Sequence, residues 1–473
     1  MKKKPNIILL ITDQQRGDCL SIENHPVIMT PNIDSIAGNG VRFSSCYSTC
    51  PTCIASRRSL LSGQLPSTHG LVGYKEGVEW DQPTLPGVLK EAGYHTYLVG
   101  RHMHQFPERK RYGFDHMVVT KDYNEWLEKK VPEIYNRKVG QYSGMYQTSG
   151  VMHNDWTARS WHMNELYHFT NWTVNEALRF LDNRDPSCPY FLVVSFQAPH
   201  PPLTPPSFYL ERYLRMDLPE PVIGDWAEPP ENDGIGDDVS SSNVYLKGDA
   251  LRYCRAAYYG LINHIDDQIR RILNPVNGIN LARDEETIVI FTSDHGEMLG
   301  DHYLFRKTLP YEGAARIPFL IRAPEHYEFK KRLVIDKPIG LHDLMPTILD
   351  MVGLEIPDTV DGKSLLPLCR GEDVPWRDSL HIEHAPLYHC LTDGKEKYIW
   401  FVKDGREQFF DLKNDPDECH DLANDDKYKE RVNHWRSLMI KELKDRPEGF
   451  SDGKKLIPGC RYDAVIPNTN RKC

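Results

Sequence analysis

The stretch NIILLITDQQRGD, residues 6–18, decides the fold. From Ile7 to Ile11 every residue is apolar. Both faces of such a segment must be covered, as in a strand of a parallel sheet lying between helical layers. The run then stops at Asp13 and Gln14, two oxygen-bearing side chains at the strand's carboxyl end. In open α/β sheets that edge is where ligands bind.

Four further runs carry the same pattern: HTYLVG (95–100), PYFLVVSF (189–196), ETIVIFTS (286–293) and IPFLIR (317–322). Helical patterns lie between them. Val174, Ala177, Leu178 and Leu181 form one stripe, and Leu85, Val88 and Leu89 another that stops at Gly93. The alternation predicts an α/β layered fold. Beyond the strands come Arg101, His102 and His104, then His200, then Asp294 and His295. One acid or histidine past a strand is usually a cap or turn residue, but four such strand ends point to a shared site. Two carboxylates, an amide and an imidazole make an oxygen-rich set suited to Ca²⁺, Mg²⁺ or Mn²⁺. His295 admits zinc, but nitrogen and sulfur donors are too few to prefer it.

The chain has 473 residues, enough for one large domain and a smaller one. Its net charge of −10, with no long basic block, argues against nucleic acid as a partner. Ile7–Ile11 is too short for a signal sequence core or a membrane span, although Lys2–Lys4 mimic a signal's basic flank. Eleven cysteines at irregular spacing are no disulfide framework, so a cytoplasmic location is expected. The sequon at Asn171 then carries no meaning.

In CPTCIASRRSLLSG (50–63), Cys50 and Cys53 form a CxxC pair without a thioredoxin-like setting or a second pair for zinc. Residues 56–62 have helical character, and Gly63 is placed to end the helix. Cys53 would sit at the helix N-terminus, where backbone N–H groups favour negative charge, with Arg57 one turn on. From Cys53 onward the segment resembles the sulfatase signature, Cys or Ser-x-Pro or Ala-x-Arg followed by Thr or Ser and Gly. NIILLITDQQRGD is similar to that family's first metal strand, and FTSDHGEMLGDH to its second metal segment. FRKTLPYEGAARIPFLIRAP and FFDLKNDPDECHDLAND resemble its lysine segment and C-terminal motif. The chain is thus identified as a member of the formylglycine-dependent type I sulfatases of the alkaline phosphatase superfamily. Two departures stand out. Ala55 replaces the commoner proline, and the family's GKxH segment reads GRHMH (100–104), leaving its histidine role to His104 or His102.

The resemblance implies a large mixed, mostly parallel sheet sandwiched by helices, with a smaller C-terminal antiparallel sheet and helix. It implies that Cys53 is converted by a maturation enzyme to Cα-formylglycine, whose geminal diol is the nucleophile. The metal ligands implied are Asp13, Gln14, Asp294, His295 and residue 53, with calcium the expected ion and magnesium or manganese the alternatives. Arg57 would stabilise the diol, and Asp294 would take its proton. Attack on sulfur would form a covalent sulfo-enzyme, and His104 would deprotonate the remaining hydroxyl to release sulfate. Lys307 and His200 would hold the sulfate and protonate the leaving oxygen, and Arg101 would add positive charge. The implied substrate is a sugar, aryl or other small sulfate ester. A phosphonate monoester or phosphodiester hydrolase on the same scaffold is the alternative. A non-catalytic glycan-binding relative is disfavoured because Cys53, Arg57, Asp13, Asp294 and Lys307 are all present.

Residues 1–370 read as the catalytic domain and 371–473 as a C-terminal subdomain. GLHDLMPTILDMVGL (340–354) reads as a helix. From about residue 375 short strands take over, with hairpin signals at Asp393–Gly394 and Asp404–Gly405. Four antiparallel strands, a helix over 427–443 and an extended tail are expected, the tail packing on a neighbour or on a partner, which leaves room for a homo-oligomer. Glu383 and His384 are placed to lean over the site. Trp161, with Trp156, lies in an aromatic- and histidine-rich segment (152–168) suited to a sugar or aryl group, although core packing would explain both equally well.

Overall fold

The computed structural model describes residues 4–132, 151, 154, 156–231, 242–273 and 286–466. The five apolar runs are all strands, and a large sheet gathers them with three shorter ones. Its strands are β1 (Asn6–Asp13), β2 (Val41–Phe43), β4 (His95–Gly100), β5 (His116–Val119), β6 (Tyr190–Pro199), β7 (Thr287–Ser293), β8 (Phe319–Arg322) and β9 (Leu333–Ile335). They lie in the order β5-β4-β6-β1-β7-β8-β2-β9. β5, β4, β6, β1 and β7 are mutually parallel. IPFLIR supplies β8, which runs antiparallel to both β7 and β2, so the sheet is mixed. Two further short strands, β3 (Cys46–Tyr47) and β10 (Ile339–Gly340), pair with each other.

β1 shows why its sequence is apolar throughout. Ile8 and Leu10 face a core built with the helices Phe169–Asn183 and Gly248–Leu273. Ile7, Leu9 and Ile11 face the opposite core, against the helix Leu344–Met351. A strand covered on both faces has no place for polar alternation. The second core also receives Leu60 and Leu61 from the helix Cys53–Ser62, which anchors that helix beneath the sheet edge. Gly63 closes it with φ +68°, a left-handed backbone that favours glycine.

The second, smaller sheet has the order β11 (Leu380–His384), β12 (Tyr388–Thr392), β13 (Lys397–Phe401), β14 (Glu407–Phe410), all antiparallel. The helix Lys429–Glu442 packs on it through Val432, Trp435 and Met439. The described part of the tail packs within the chain: Val72 N donates to Ala464 O at 2.9 Å and Ile466 N to Gly70 O at 2.9 Å. Among the described residues no helix is long and apolar enough to cross a membrane. Asn171 of the sequon is buried, and its side-chain oxygen lies 2.6 Å from His264 Nε2.

Candidate active site

Cys53 is the first residue of its helix. Its Sγ lies 3.1 Å from His295 Nε2, 3.1 Å from Lys307 Nζ, 3.7 Å from Asp13 Oδ1 and 3.8 Å from Arg101 Nη2. Asp13 ends β1, Arg101 follows β4, and Asp294 and His295 follow β7. The parallel register of these neighbouring strands brings their carboxyl ends together. Asp13, Cys53, Asp294 and His295 each offer a ligand atom within 4.8 Å of the others, and all four are buried.

Arg57 spans this cluster from one turn along the helix. Its Nε donates to Asp294 Oδ2 at 2.7 Å, its Nη2 to Asp13 Oδ2 at 3.0 Å and its Nη1 to Ser195 Oγ at 2.9 Å. Arg101 Nε lies 2.6 Å from Asp13 Oδ2. Burial works against the Asp13 carboxylate, but Arg101, His200, Arg57 and Lys307 outweigh it and hold its pKa well below the ordinary 3.8. Burial and the Asp13 charge instead push Asp294 above the ordinary carboxylate range. The two neighbours are thus driven apart, one ionised and one inclined to keep a proton. Burial and Asp13 also oppose ionisation of Cys53, yet Lys307 and His295 bring its thiol down to about 6. Cys50, by contrast, packs with Ile54, Ala55 and Leu71, and burial pushes its thiol well up.

The donor set fits a divalent cation. His295 Nδ1 donates to Gly296 O at 2.9 Å, which turns Nε2 toward Asp13 and Asp294. Burial opposes charge on the ring, but Asp294 and Cys53 raise its pKa, and Nε2 would ligate a cation on giving up its proton. Asp294 Oδ1 accepts the backbone N–H groups of Gln14 (3.1 Å) and His295 (2.9 Å), which fixes the carboxylate's orientation. Gln14 holds a left-handed backbone (φ 70°), with its Oε1 3.1 Å from Lys307 Nζ and its Nε2 donating to Glu297.

Four further histidines bear on the site. His200 Nδ1 donates to Pro201 O at 2.7 Å. Both ring nitrogens of His384 are buried without a hydrogen-bond partner among the described residues, and burial lowers its pKa to about 4. The charge of His295 adds a smaller contribution to that shift. His104 has a buried Nε2 without a hydrogen-bond partner among the described residues, and burial, Arg101 and Arg57 keep its ring neutral. His102 stacks edge-on to His104 at 4.7 Å and is held neutral by burial and by His104.

Two expected contacts sit elsewhere. The Glu383 carboxylate accepts from Arg446 Nη1 (2.8 Å) and the Tyr462 hydroxyl (2.7 Å), so it belongs to the interior of the C-terminal part. Trp161 donates to Asn164 O at 3.2 Å and packs with Tyr123, Phe169 and Trp172 in a side core, which spends its ring on packing. Met152, His153 and Asp155 of that segment lie outside the described residues. Ser195 and Glu297 escaped the sequence reading. Ser195 had one signal, a hydroxyl inside an apolar strand. Glu297 orients Gln14 and accepts from Leu299 N at 2.9 Å, and only its place three residues after Asp294 marked it.

Fold and site define a hydrolase of the alkaline phosphatase type, with its anion and metal residues at the carboxyl edge of a mostly parallel sheet. The sulfatase family model matches residues 5–354, and the model for the N-sulphoglucosamine sulphohydrolase C-terminal region matches residues 300–445. An arylsulfatase of Clostridium perfringens is 42% identical over 96% of this chain and 98% of its own length. A structure of the phosphonate monoester hydrolase of Agrobacterium radiobacter is 24% identical, with TM-score 0.76 over 93% of this chain and 95% of that one. A structure solved in complex with its substrate D-glucosamine-2-N,6-O-disulfate is 23% identical, with TM-score 0.73 over 96% of this chain and 100% of that one. The chain belongs to the sulfatase family, and its activity is sulfuric ester hydrolysis.

Proposed function

We propose that this enzyme hydrolyses sulfate monoesters of small aryl or sugar alcohols, with residues 1–370 carrying the chemistry and 371–473 contributing His384. The observation that carries the reading is the seat of Cys53, at a helix N-terminus and 3.1 Å from both Lys307 and His295. Only that cysteine of the CxxC pair faces the ion cluster. After conversion by a maturation enzyme, position 53 supplies a geminal diol where the thiol now sits. Asp13, Gln14, Asp294 and His295 would hold a divalent cation, calcium being the ion that best suits the oxygen donors. When bound, that cation lowers the pKa of a hydroxyl it holds.

The chain's own groups supply the rest. Asp294, its Oδ1 fixed by the backbone N–H groups of Gln14 and His295, would accept the proton of the attacking hydroxyl. Arg57, Lys307 and Arg101 present cationic donors to the sulfate oxygens, and the two arginines, being buried, count for more than exposed donors would. His200, whose Nδ1 donates to Pro201 O, would act as the proton donor to the leaving oxygen. His384 offers a further ring nitrogen to the anion. His104 is neutral with Nε2 directed inward, so it can take the proton whose loss lets sulfate depart.

The test pairs 4-nitrophenyl sulfate with phenyl 4-nitrophenylphosphonate on matured, metal-loaded enzyme. The expected result is a kcat/KM for the sulfate at least about tenfold higher, with a hydrazide-reactive aldehyde at position 53. A preference for the phosphonate, or full activity with position 53 still a thiol, would overturn the reading.

A further inference from the structure

Next to the reaction centre is a cleft of about 510 Å³, large enough for one ring. Ile54, His102 and His104 line it together with Phe106 and Met117, and the charged residues of its lining are Glu76, Glu108, Arg109 and Lys121. Three of those charges are already answered. Arg109 grips both oxygens of Asp122, at 3.0 and 2.8 Å, and Lys121 pairs with Glu108 at 3.4 Å. The two histidines are held neutral by burial. Glu76 is left. Its Oε1 accepts from the Tyr74 hydroxyl, and no cation among the described residues pairs with it. Tyr74 is half exposed and lies outside the cleft's lining, touching it only through that hydroxyl.

The centre concentrates positive charge from Arg57, Arg101 and Lys307 where the sulfate must sit. The cleft carries the opposite sign on its wall. A ligand spanning both would be anionic at one end and cationic at the other. We propose that this cleft is the leaving-group subsite, with Glu76 as its unanswered charge, and that it takes an alcohol bearing an ammonium group and disfavours one bearing a second anion. This rests on the sulfate-ester reading above and adds the charge of the alcohol to it. Glu76 is exposed, so the selectivity is modest. An ion pair at a solvent-open carboxylate supplies up to about fivefold.

The test uses aryl sulfates of matching shape: 4-(aminomethyl)phenyl sulfate, 4-(hydroxymethyl)phenyl sulfate and 4-carboxyphenyl sulfate, with 4-nitrophenyl sulfate as reference. In the wild type the ammonium ester should exceed the hydroxymethyl ester in kcat/KM by about threefold to fivefold, and the carboxy ester should be slowest. The advantage should shrink as salt rises. In Glu76→Gln the ammonium-to-hydroxymethyl ratio should fall to about one, and in Glu76→Lys the carboxy ester should gain. Inhibition of 4-nitrophenyl sulfate turnover by 4-(aminomethyl)phenol against 4-(hydroxymethyl)phenol gives the same comparison in unmutated enzyme. Turnover of 4-nitrophenyl sulfate with no ammonium preference, or a preference unmoved in Glu76→Gln, would overturn the subsite alone. Failure to hydrolyse any of the sulfates would overturn the sulfate-ester reading with it.

Discussion

Replacing Arg57 by Met tests the electrostatic account of the site most directly. The guanidinium is fully buried and joins Asp13, Asp294 and Ser195 by bonds of 2.7–3.0 Å. Met keeps much of the volume and removes the charge. Breaking a buried ion pair from one side costs about 3–5 kcal/mol. Two features hold the cost to the lower end. Arg101 still faces Asp13 at 2.6 Å, and Asp294, already pushed up by burial and Asp13, can take a proton. For metal-free protein we expect a loss of about 3 kcal/mol and a melting temperature lower by about 3–6 °C. Arg57 also stands among the donors for the sulfate, so kcat/KM for 4-nitrophenyl sulfate should fall about 10²–10³-fold. Arg57→Lys should fall between, because an ammonium restores charge without the fork that reaches both carboxylates. Differential scanning fluorimetry of metal-free and calcium-loaded protein, with initial rates on matured enzyme, measures both effects. Activity within tenfold of wild type and an unchanged melting temperature in Arg57→Met would refute the reasoning.

Other outcomes follow from the same geometry. The folded-state pKa of Asp294 lies above its unfolded value, so in metal-free protein its contribution is full at low pH and is lost as pH rises through the raised pKa. A cation competes for that carboxylate, so the melting-temperature gain on adding calcium should grow from pH 5 to pH 8, and Asp294→Ala should remove both the gain and the bound metal. In unconverted, metal-free protein iodoacetamide should label Cys53 with a midpoint near pH 6 and spare Cys50, as peptide mass spectrometry would read. Cys50→Ala should keep most activity, whereas Cys53→Ala should keep none. Arg446→Met, which strands the Glu383 carboxylate, should cost about 3–5 kcal/mol in urea denaturation while kcat/KM per folded molecule stays within about twofold. A large drop in kcat/KM at unchanged stability would return Glu383 to the substrate.

Much of the site was legible in the sequence because its parts are local signals. A strand apolar on both faces announces a sandwiched sheet, and the first polar residue after it falls at the ligand edge. Asp13, Arg101, His200, Asp294 and His295 were readable for that reason. Cys53 was separable from Cys50 because helix phase depends only on neighbours, and Gly63 closes the helix where expected. What local pattern cannot carry is the pairing of distant segments. β8 has the same apolar signature as its neighbours, yet only the assembled sheet sets it antiparallel to β7. Glu383 is spoken for by Arg446, 63 positions away, and by Tyr462, 79 away. Trp161 enters a side core because Tyr123, Phe169 and Trp172 converge there. The sequence by itself determined the layered sheet, the polar residues at its strand ends and the seat of Cys53 at a helix N-terminus. Tertiary structure alone decided which charges answer one another, because ion pairing in a buried interior follows distances that arise only when separate strands and helices pack.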